Sequence, residues 1–307
     1  MPSHRSIIPL HDHHHQRVNA MTTELLTRAM QTSPPKAPAP AADVFGRIGA
    51  LETRLARNGR EIEAAQRIRY RVFVEEMQAQ LSPAAMRDGR DSDDFDAICD
   101  HLLVIDNDIE GEAEERIVGT YRLLRQEVAE AHGGFYSASE YDIAPLLARH
   151  PDKRFMELGR SCVLPPYRNK RTVELLWQGN WAYALKHGMG AMFGCASFHG
   201  TDPQAHALGL SFLHAHAGVK DEWAVRARPE LYCAMNLVAP EAIDARRALA
   251  LLPPLIKGYH RLGAMVGDGA VIDHAFNTVD VLIVLPIAAI SDRYVNYYGA
   301  DAGRFAG

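Results

Sequence analysis

The sequence predicts an α/β or α+β fold, and three observations carry that expectation. From residue 46 onward, segments with helical spacing alternate with segments of strand character. Breaks containing Gly, Asp or Asn separate them. No internal repeat runs along the chain, which sets a solenoid aside.

Taken in order, residues 61–76 read as a helix, because Ile62, Ala65, Ile68, Val72 and Phe73 fall on one stripe at three- and four-residue spacing. Residues 101–106, 116–124 and 155–164 read as strands. A second strong helix covers 172–187, and Gly188-Met189-Gly190 stops it. Residues 191–198 form a buried-strand pattern. Asp202-Pro203 opens a further helix with Ala207, Leu210, Leu213 and Ala217 at helical spacing. Strand candidates follow around Val225 and at 231–238, then a helix preceded by Pro253-Pro254, and a final strand at 279–285.

Composition narrows the class without naming a reaction. The 307 residues are 47% hydrophobic and 23% charged, with 33 Lys+Arg against 38 Asp+Glu and a net charge of −5. This balance argues against a nucleic-acid partner, since phosphate neutralisation demands clustered Lys and Arg in excess. Cys99, Cys162, Cys195 and Cys233 are too irregularly spaced for a zinc signature or a disulfide framework, so a reduced cytoplasmic protein is expected. The longest apolar run, 281–290, spans ten residues and includes Pro286. That is about half of the roughly 20 residues a spanning helix requires. The first 45 residues hold His4, His11, His13, His14, His15 and a Pro-rich stretch at 34–40, and read as a disordered arm. Residues 46–240 then form the core and 241–307 an extension packed on it.

The informative residues are charged groups inside apolar segments. Arg69 sits beside Phe73 on the helix stripe; Asp93 and Asp96 flank Phe95; Arg122 interrupts the strand 118–124; Glu157 and Arg160 share the strand 155–163. Residues three apart on a strand point to opposite faces unless a bulge intervenes, and Gly159 offers a place for one. These arginines and carboxylates are either a polar set around a cleft or a structural ion-pair network.

In their order, Arg69-x-x-x-Phe73, Asp93-x-Phe95-Asp96, Gly119-x-x-Arg122 and Glu157-x-x-Arg160 resemble acyl-homoserine-lactone synthases, carrier-protein-dependent members of the Gcn5-related N-acyltransferase superfamily. Downstream, residues 194–203, 252–264, 267–273 and 276–281 resemble the bacterial L-ornithine N-alpha-acyltransferases, which make lyso-ornithine lipid. That likeness covers about residues 50 to 300. It implies a mixed central sheet flanked by helices. Two departures matter. Residues 77–81 lack the Trp usual in homoserine-lactone synthases. In place of a glycine-rich pyrophosphate turn stand Arg168, Lys170 and Arg171, which suit the single phosphate of a carrier protein's phosphopantetheine arm, or form a solvated basic loop.

The resemblance implies transfer of a 3-hydroxyacyl chain from acyl carrier protein to the α-amine of L-ornithine, with no bound cofactor and no metal. Glu157 is then the first choice of base, with Asp96 behind it; Asp93 and Asp96 receive the cationic acceptor; Arg122 or Arg160 pairs with its carboxylate; Arg69 and Phe73 complete the substrate site. Strand N–H groups around Arg160 to Cys162 would hold the thioester oxyanion. The lipid product implies transient contact with the inner face of the membrane, and a separate O-acyltransferase to complete the lipid. Two other readings stay open: an acyl-homoserine-lactone synthase using S-adenosylmethionine, and a non-catalytic carrier- or membrane-binding protein.

Overall fold

The heptapeptide DHLLVID at 100–106 shows why a sheet forms here. Its apolar residues are continuous rather than alternating, the pattern of a strand buried on both faces. In the computed structural model, which describes residues 44–290, this segment is β3 (Asp100–Asp106) of a nine-stranded sheet. The others are β1 (Val44–Ile48), β2 (Leu51–Leu55), β4 (Ile117–Arg125), β5 (Phe155–Val163), β6 (Ala191–His199), β7 (Met265–Val266), β8 (Val271–Asp273) and β9 (Thr278–Pro286).

The strand order is β1-β2-β3-β4-β5-β6-β9-β7, with β8 also paired to β9. Neighbours are antiparallel except β5 and β6, which run parallel. The sheet is therefore mixed, as expected.

Four helices position the site: α1 (Gly59–Tyr70), α2 (Lys170–Lys186), α3 (Ala207–Ala217) and α4 (Pro254–Arg261). Asn58 caps α1 by accepting from the Glu61 N–H at 3.0 Å. Ala64, Ala65 and Ile68 of α1 pack with Leu103 and Ile105 of β3, while Leu175 and Leu176 of α2 pack with Leu102 and Val104. Odd and even positions of β3 thus meet helices on opposite faces. Asn169 caps α2, and Gly188 at φ +61° ends it.

Three features differ from the expectation. β1 begins at Val44, two residues inside the stretch read as an arm; short strands carrying Arg47, Glu52 and Arg54 show little apolar alternation, which hid both β1 and β2. The segments around Val225 and 231–238 are not strands. They make only isolated bridges, Arg226 with Asp268, Ala227 with Tyr141 and Cys233 with Ala270, and Val225 and Met235 are buried by packing rather than pairing. Lastly, β9 belongs to the sheet itself, pairing β6 from Ala191↔Pro286 to His199↔Thr278. The histidine-bearing arm through residue 43, and 291–307, lie outside the described residues. Among the described residues no helix is long and apolar enough to cross a membrane.

Candidate active site

Parallel strands β5 and β6 pair only at Phe155↔Ala191, Met156↔Met192 and Glu157↔Phe193. Beyond that point β5 follows β4 and β6 follows β9, so a wedge opens between them. Gly194 sits at the apex, where a Cβ would overlap the Leu158 carbonyl oxygen. A cavity of about 570 Å³ fills the wedge, lined by Gly159 to Val163 on one side and Cys195 to Ser197 on the other. Its floor includes Val72, Phe73, Glu76 and Met77, presented by or just after a π-helical turn, Arg71–Glu76, that continues α1.

The bulge anticipated in β5 is present, one residue further on. Thr120 pairs with Cys162 but Arg122 with Gly159, leaving one extra residue on β5. The left-handed residue is Arg160, at φ +51°, and not Gly159. A non-glycine residue held there costs about 1 kcal/mol. Its guanidinium is fixed on several sides: Nε is 3.2 Å from Asp91, Nη2 reaches Asp93 at 3.2 Å and the Tyr136 hydroxyl at 3.4 Å, and the rings of Tyr136 and Phe276 lie 4.9 and 4.4 Å away.

Behind the cavity lies a network of three arginines and three aspartates. Arg69, fully buried, grips Asp96 with two nitrogens at 2.7 and 2.8 Å and Asp91 with Nε at 2.9 Å. Gln66 at 3.0 Å and the Asp93 N–H at 3.1 Å also donate to Asp96. Arg122 donates to Asp93 at 2.5 Å and Asp96 at 3.2 Å. Asp93 and Asp96 form a capping box on the short helix Asp94–Ala97, which explains their spacing. Although burial opposes it, bonding to Arg69 and the charges of Arg69 and Arg122 hold the Asp96 carboxyl well below the usual carboxylate range. An acid so firmly ionised is a poor proton acceptor, which argues against Asp96 as base. Arg69, Asp93 and Asp96 do not line the cavity; Phe73, Arg122, Glu157 and Arg160 do.

Glu157, at the wedge apex, has different partners. Its Oε2 accepts from the Tyr136 N–H at 2.8 Å, and its Oε1 from the Ser137 N–H at 2.7 Å and the Ser137 hydroxyl. Burial nevertheless raises its pKa, against the pull of those bonds. A raised pKa makes Glu157 a stronger proton acceptor than an ordinary glutamate.

A second acidic group went unselected by the sequence reading. Glu140, Asp273 and Asp280 place carboxylate oxygens within 4.8 Å of one another. Asp273 and Asp280 line the cavity. Burial, followed among the raising influences by the Asp280 charge, pushes Glu140 up to about 7; burial, with a smaller contribution from Asp273, pushes Asp280 up to about 6. The thiol of Cys195 donates to Glu140 at 3.2 Å, and burial drives its pKa well above the usual value. Cys99 and Cys162 are likewise pushed up to about 12 by burial, so none of these three is tuned as a nucleophile.

The opposite end of the cavity is apolar. Val173, Leu176, Trp177 and Asn180 of α2 form one helical face there. Tyr121 and Tyr259 close it, their hydroxyls 2.8 Å apart, tying α4 to β4. Asn180 is 1% exposed, and neither its amide nitrogen nor its oxygen has a partner. Of the basic trio, Arg168 lines the mouth and bonds Glu76 at 2.7 Å and the Val163 carbonyl at 2.8 Å. Lys170 and Arg171 are exposed in the first turn of α2, where Lys170 pairs with Glu174 at 3.3 Å.

The sequence reading also passed over Asp91, Tyr136, Ser137 and Asn180. For Asp280 a signal existed, a lone charge in the apolar strand 278–286, the same signal that singled out Arg122. The Gly267-Asp268-Gly269 segment is an extended stretch that bends at Gly269, φ +86°, with Asp268 bridged to Arg226 and accepting from the Tyr232 hydroxyl at 3.1 Å, away from the cavity lining.

Residues 68–178 match the acetyltransferase (GNAT) domain. An L-ornithine N(alpha)-acyltransferase of Rhizobium meliloti (strain 1021) is 74% identical over 268 residues, covering 87% of this chain and 90% of its own. One from Agrobacterium fabrum (strain C58) is 68% identical, covering 86% of this chain and 90% of its own. Among solved structures, an N-acyl amino acid synthase from uncultured soil microbes aligns over 78% of this chain and 91% of its own, at 13% identity and a TM-score of 0.44.

Proposed function

The chain belongs to the family of L-ornithine N(alpha)-acyltransferases, and on that premise we propose that it moves a 3-hydroxyacyl chain from acyl carrier protein to the α-amine of L-ornithine. The observation that supports this most is the wedge between β5 and β6, which joins an acidic end to an apolar end through one cavity. A phosphopantetheine arm is a thin chain of amides. Unpaired strand edges offer it N–H and C=O groups, as in strand addition. Arg168, Lys170 and Arg171 at the mouth then face its phosphate.

The acyl tail would lie along Val173, Leu176 and Trp177, with Asn180 receiving the 3-hydroxyl. A hydroxyl can both donate and accept, which answers the two unpartnered atoms of that amide. Arg122 or Arg160, both on the cavity wall, pairs with the acceptor's carboxylate.

The chemistry is a direct displacement. An ammonium cannot attack, so the α-amine first loses a proton, for which Glu157 is the base. Its nitrogen adds to the thioester carbon, and bulge N–H groups around Arg160 to Cys162 face the oxyanion. The carbon–sulfur bond then breaks. Of the two protons the nitrogen gives up, one ends on the leaving thiol and one in solvent. The product carries a free 3-hydroxyl and a long chain. It would pass to the membrane surface and to a separate O-acyltransferase.

Purified protein incubated with 3-hydroxyacyl carrier protein and either L-ornithine or S-adenosylmethionine tests the reading. An amide formed with ornithine supports it. A lactone from S-adenosylmethionine, or no turnover with any amine, would overturn it.

A further inference from the structure

L-Ornithine carries two ammonium groups, and the proposed transfer uses one of them. The other must be accommodated in a cavity whose described lining includes Arg122, Arg160 and Arg168. Desolvating an ammonium without acceptors costs several kcal/mol, so acceptors have to be present. They are found at one place. Glu140, Asp273 and Asp280 converge within 4.8 Å, and Asp273 and Asp280 form part of the wall.

Acidic side chains gather on many proteins without a ligand, but here a second observation points to one. Thr278, 2% exposed, lines the same cavity, and its hydroxyl has no partner other than the neighbouring Asp280 carboxylate. Asp280, 6% exposed, has an Oδ1 under-bonded in the same way. The two are neighbours on one face of β9, and Asp273 is the residue paired opposite Thr278. Buried polar atoms are almost always fully bonded, so an under-bonded pair facing a cavity leaves room for a further donor.

We propose that this set, Asp273, Asp280, Glu140 and the Thr278 hydroxyl, is the seat of the acceptor's side-chain ammonium and so determines which amino acid is acylated. A primary ammonium has three donors and no acceptor, and the wall offers it several acceptors and no competing cation within the set. The seat is also correctly placed relative to the base. Ser137 bonds Glu157, Cys195 contacts both the Ser137 hydroxyl at 3.6 Å and Glu140 at 3.2 Å, and Glu140 belongs to the seat. A short aliphatic chain with an amine at each end can therefore present one to Glu157 and leave the other among the carboxylates. Raised carboxyl pKa values at Glu140 and Asp280 agree with a site waiting for positive charge.

The inference rests on the acceptor reading above, and one experiment separates the two. kcat/KM is measured for L-ornithine and for L-norvaline, which has the same skeleton without the terminal amine, using wild-type protein, Asp273→Asn, Asp280→Asn and Glu140→Gln. Wild type should favour ornithine by about 100-fold or more. Each variant should shrink that ratio at least about tenfold, mainly through the ornithine KM. Asp273→Asn is the key arm, because Asp273 is only half-buried and its loss spares the core. An active wild type whose ratio survives all three changes overturns the seat alone. So does an equal loss for both substrates, which would mean a base or a structural role. Tight binding of Mg²⁺, Ca²⁺ or Mn²⁺ alone, with ornithine turnover abolished by chelation, would make the cluster a metal site and overturn it too. Wild type that acylates neither amino acid overturns the acceptor reading, and the seat with it.

Discussion

Two groups of buried and half-buried carboxylates lie on either side of the cavity wall, and they are built in opposite ways. Behind the wall, Asp91, Asp93 and Asp96 meet Arg69, Arg122 and Arg160, charge for charge, with Asp96 gripped on both oxygens. At the wall, Glu140, Asp273 and Asp280 meet mainly one another, with only the Ser197 and Thr278 hydroxyls beside Asp280. The pKa directions follow: Asp96 is held down by its arginine partner, Asp280 and Glu140 are pushed up by burial. Residue type and burial alone do not reveal a role. Partner satisfaction does: the closed network positions Arg122 and Arg160, while the open cluster has capacity left for a ligand.

The sharpest way to break this comparison is to open the closed network. Arg69→Met removes the main grip on two buried aspartates, leaving them the longer contacts to Arg122 and Arg160, and breaking a buried pair in this way costs about 3–5 kcal/mol. Urea unfolding should show a loss of that size; a loss under about 1 kcal/mol would mean the network is not structural. Glu157 sits between the two regions, bonded by N–H groups yet raised in pKa. Glu157→Gln should lower kcat about 100-fold with little change in either KM, as read in single-turnover acylation. Wild-type turnover would remove it as the base.

The open cluster predicts a change of the opposite sign. Asp280 has a folded pKa above its unfolded value, so the folded state binds the extra proton. Stability is therefore lost as pH rises through about 6, and the cost is complete above that. Asp280→Asn should stabilise the free protein at pH 8 by about 1–3 kcal/mol, and this gain should vanish below pH 4. Asp96 runs the other way, since its lowered pKa contributes stability above the usual carboxylate range that is lost on acidification. Equal thermal shifts for Asp280→Asn at pH 4 and pH 8 would contradict the assignment. The smallest expected effect is at the apolar end. Asn180→Leu should reduce the preference for 3-hydroxyacyl over plain acyl donors about tenfold, measured as a ratio of kcat/KM.

Most of the closed network was legible in the sequence, Arg69, Arg122 and Arg160 as charges inside apolar segments and Asp93 and Asp96 as the pair flanking Phe95, whereas Asp91, one more acid in a polar loop, was not. The network's place in the molecule was not legible either, since Arg69 and Asp96 become neighbours only when α1 and the 94–97 turn pack together. The β5 bulge was foreseen from Glu157 and Arg160 sharing one strand, but placed at Gly159. The structure instead holds Arg160 in the left-handed region, where Asp91, Asp93 and two aromatic rings stabilise its guanidinium. The open cluster was hidden for a physical reason. Glu140 lies in a loop, Asp273 ends β8 and Asp280 interrupts β9, so no spacing rule joins them. Asn180 is an ordinary helix residue until its burial without partners is known.

The central claim is that the open cluster takes the side-chain ammonium of ornithine and leaves the α-amine to Glu157 and the thioester. The most direct measurement is the NMR structure of the amide made by wild-type protein from L-ornithine and 3-hydroxyacyl carrier protein. The account predicts acylation at the α-nitrogen with the terminal ammonium free. An amide at the terminal nitrogen would contradict it.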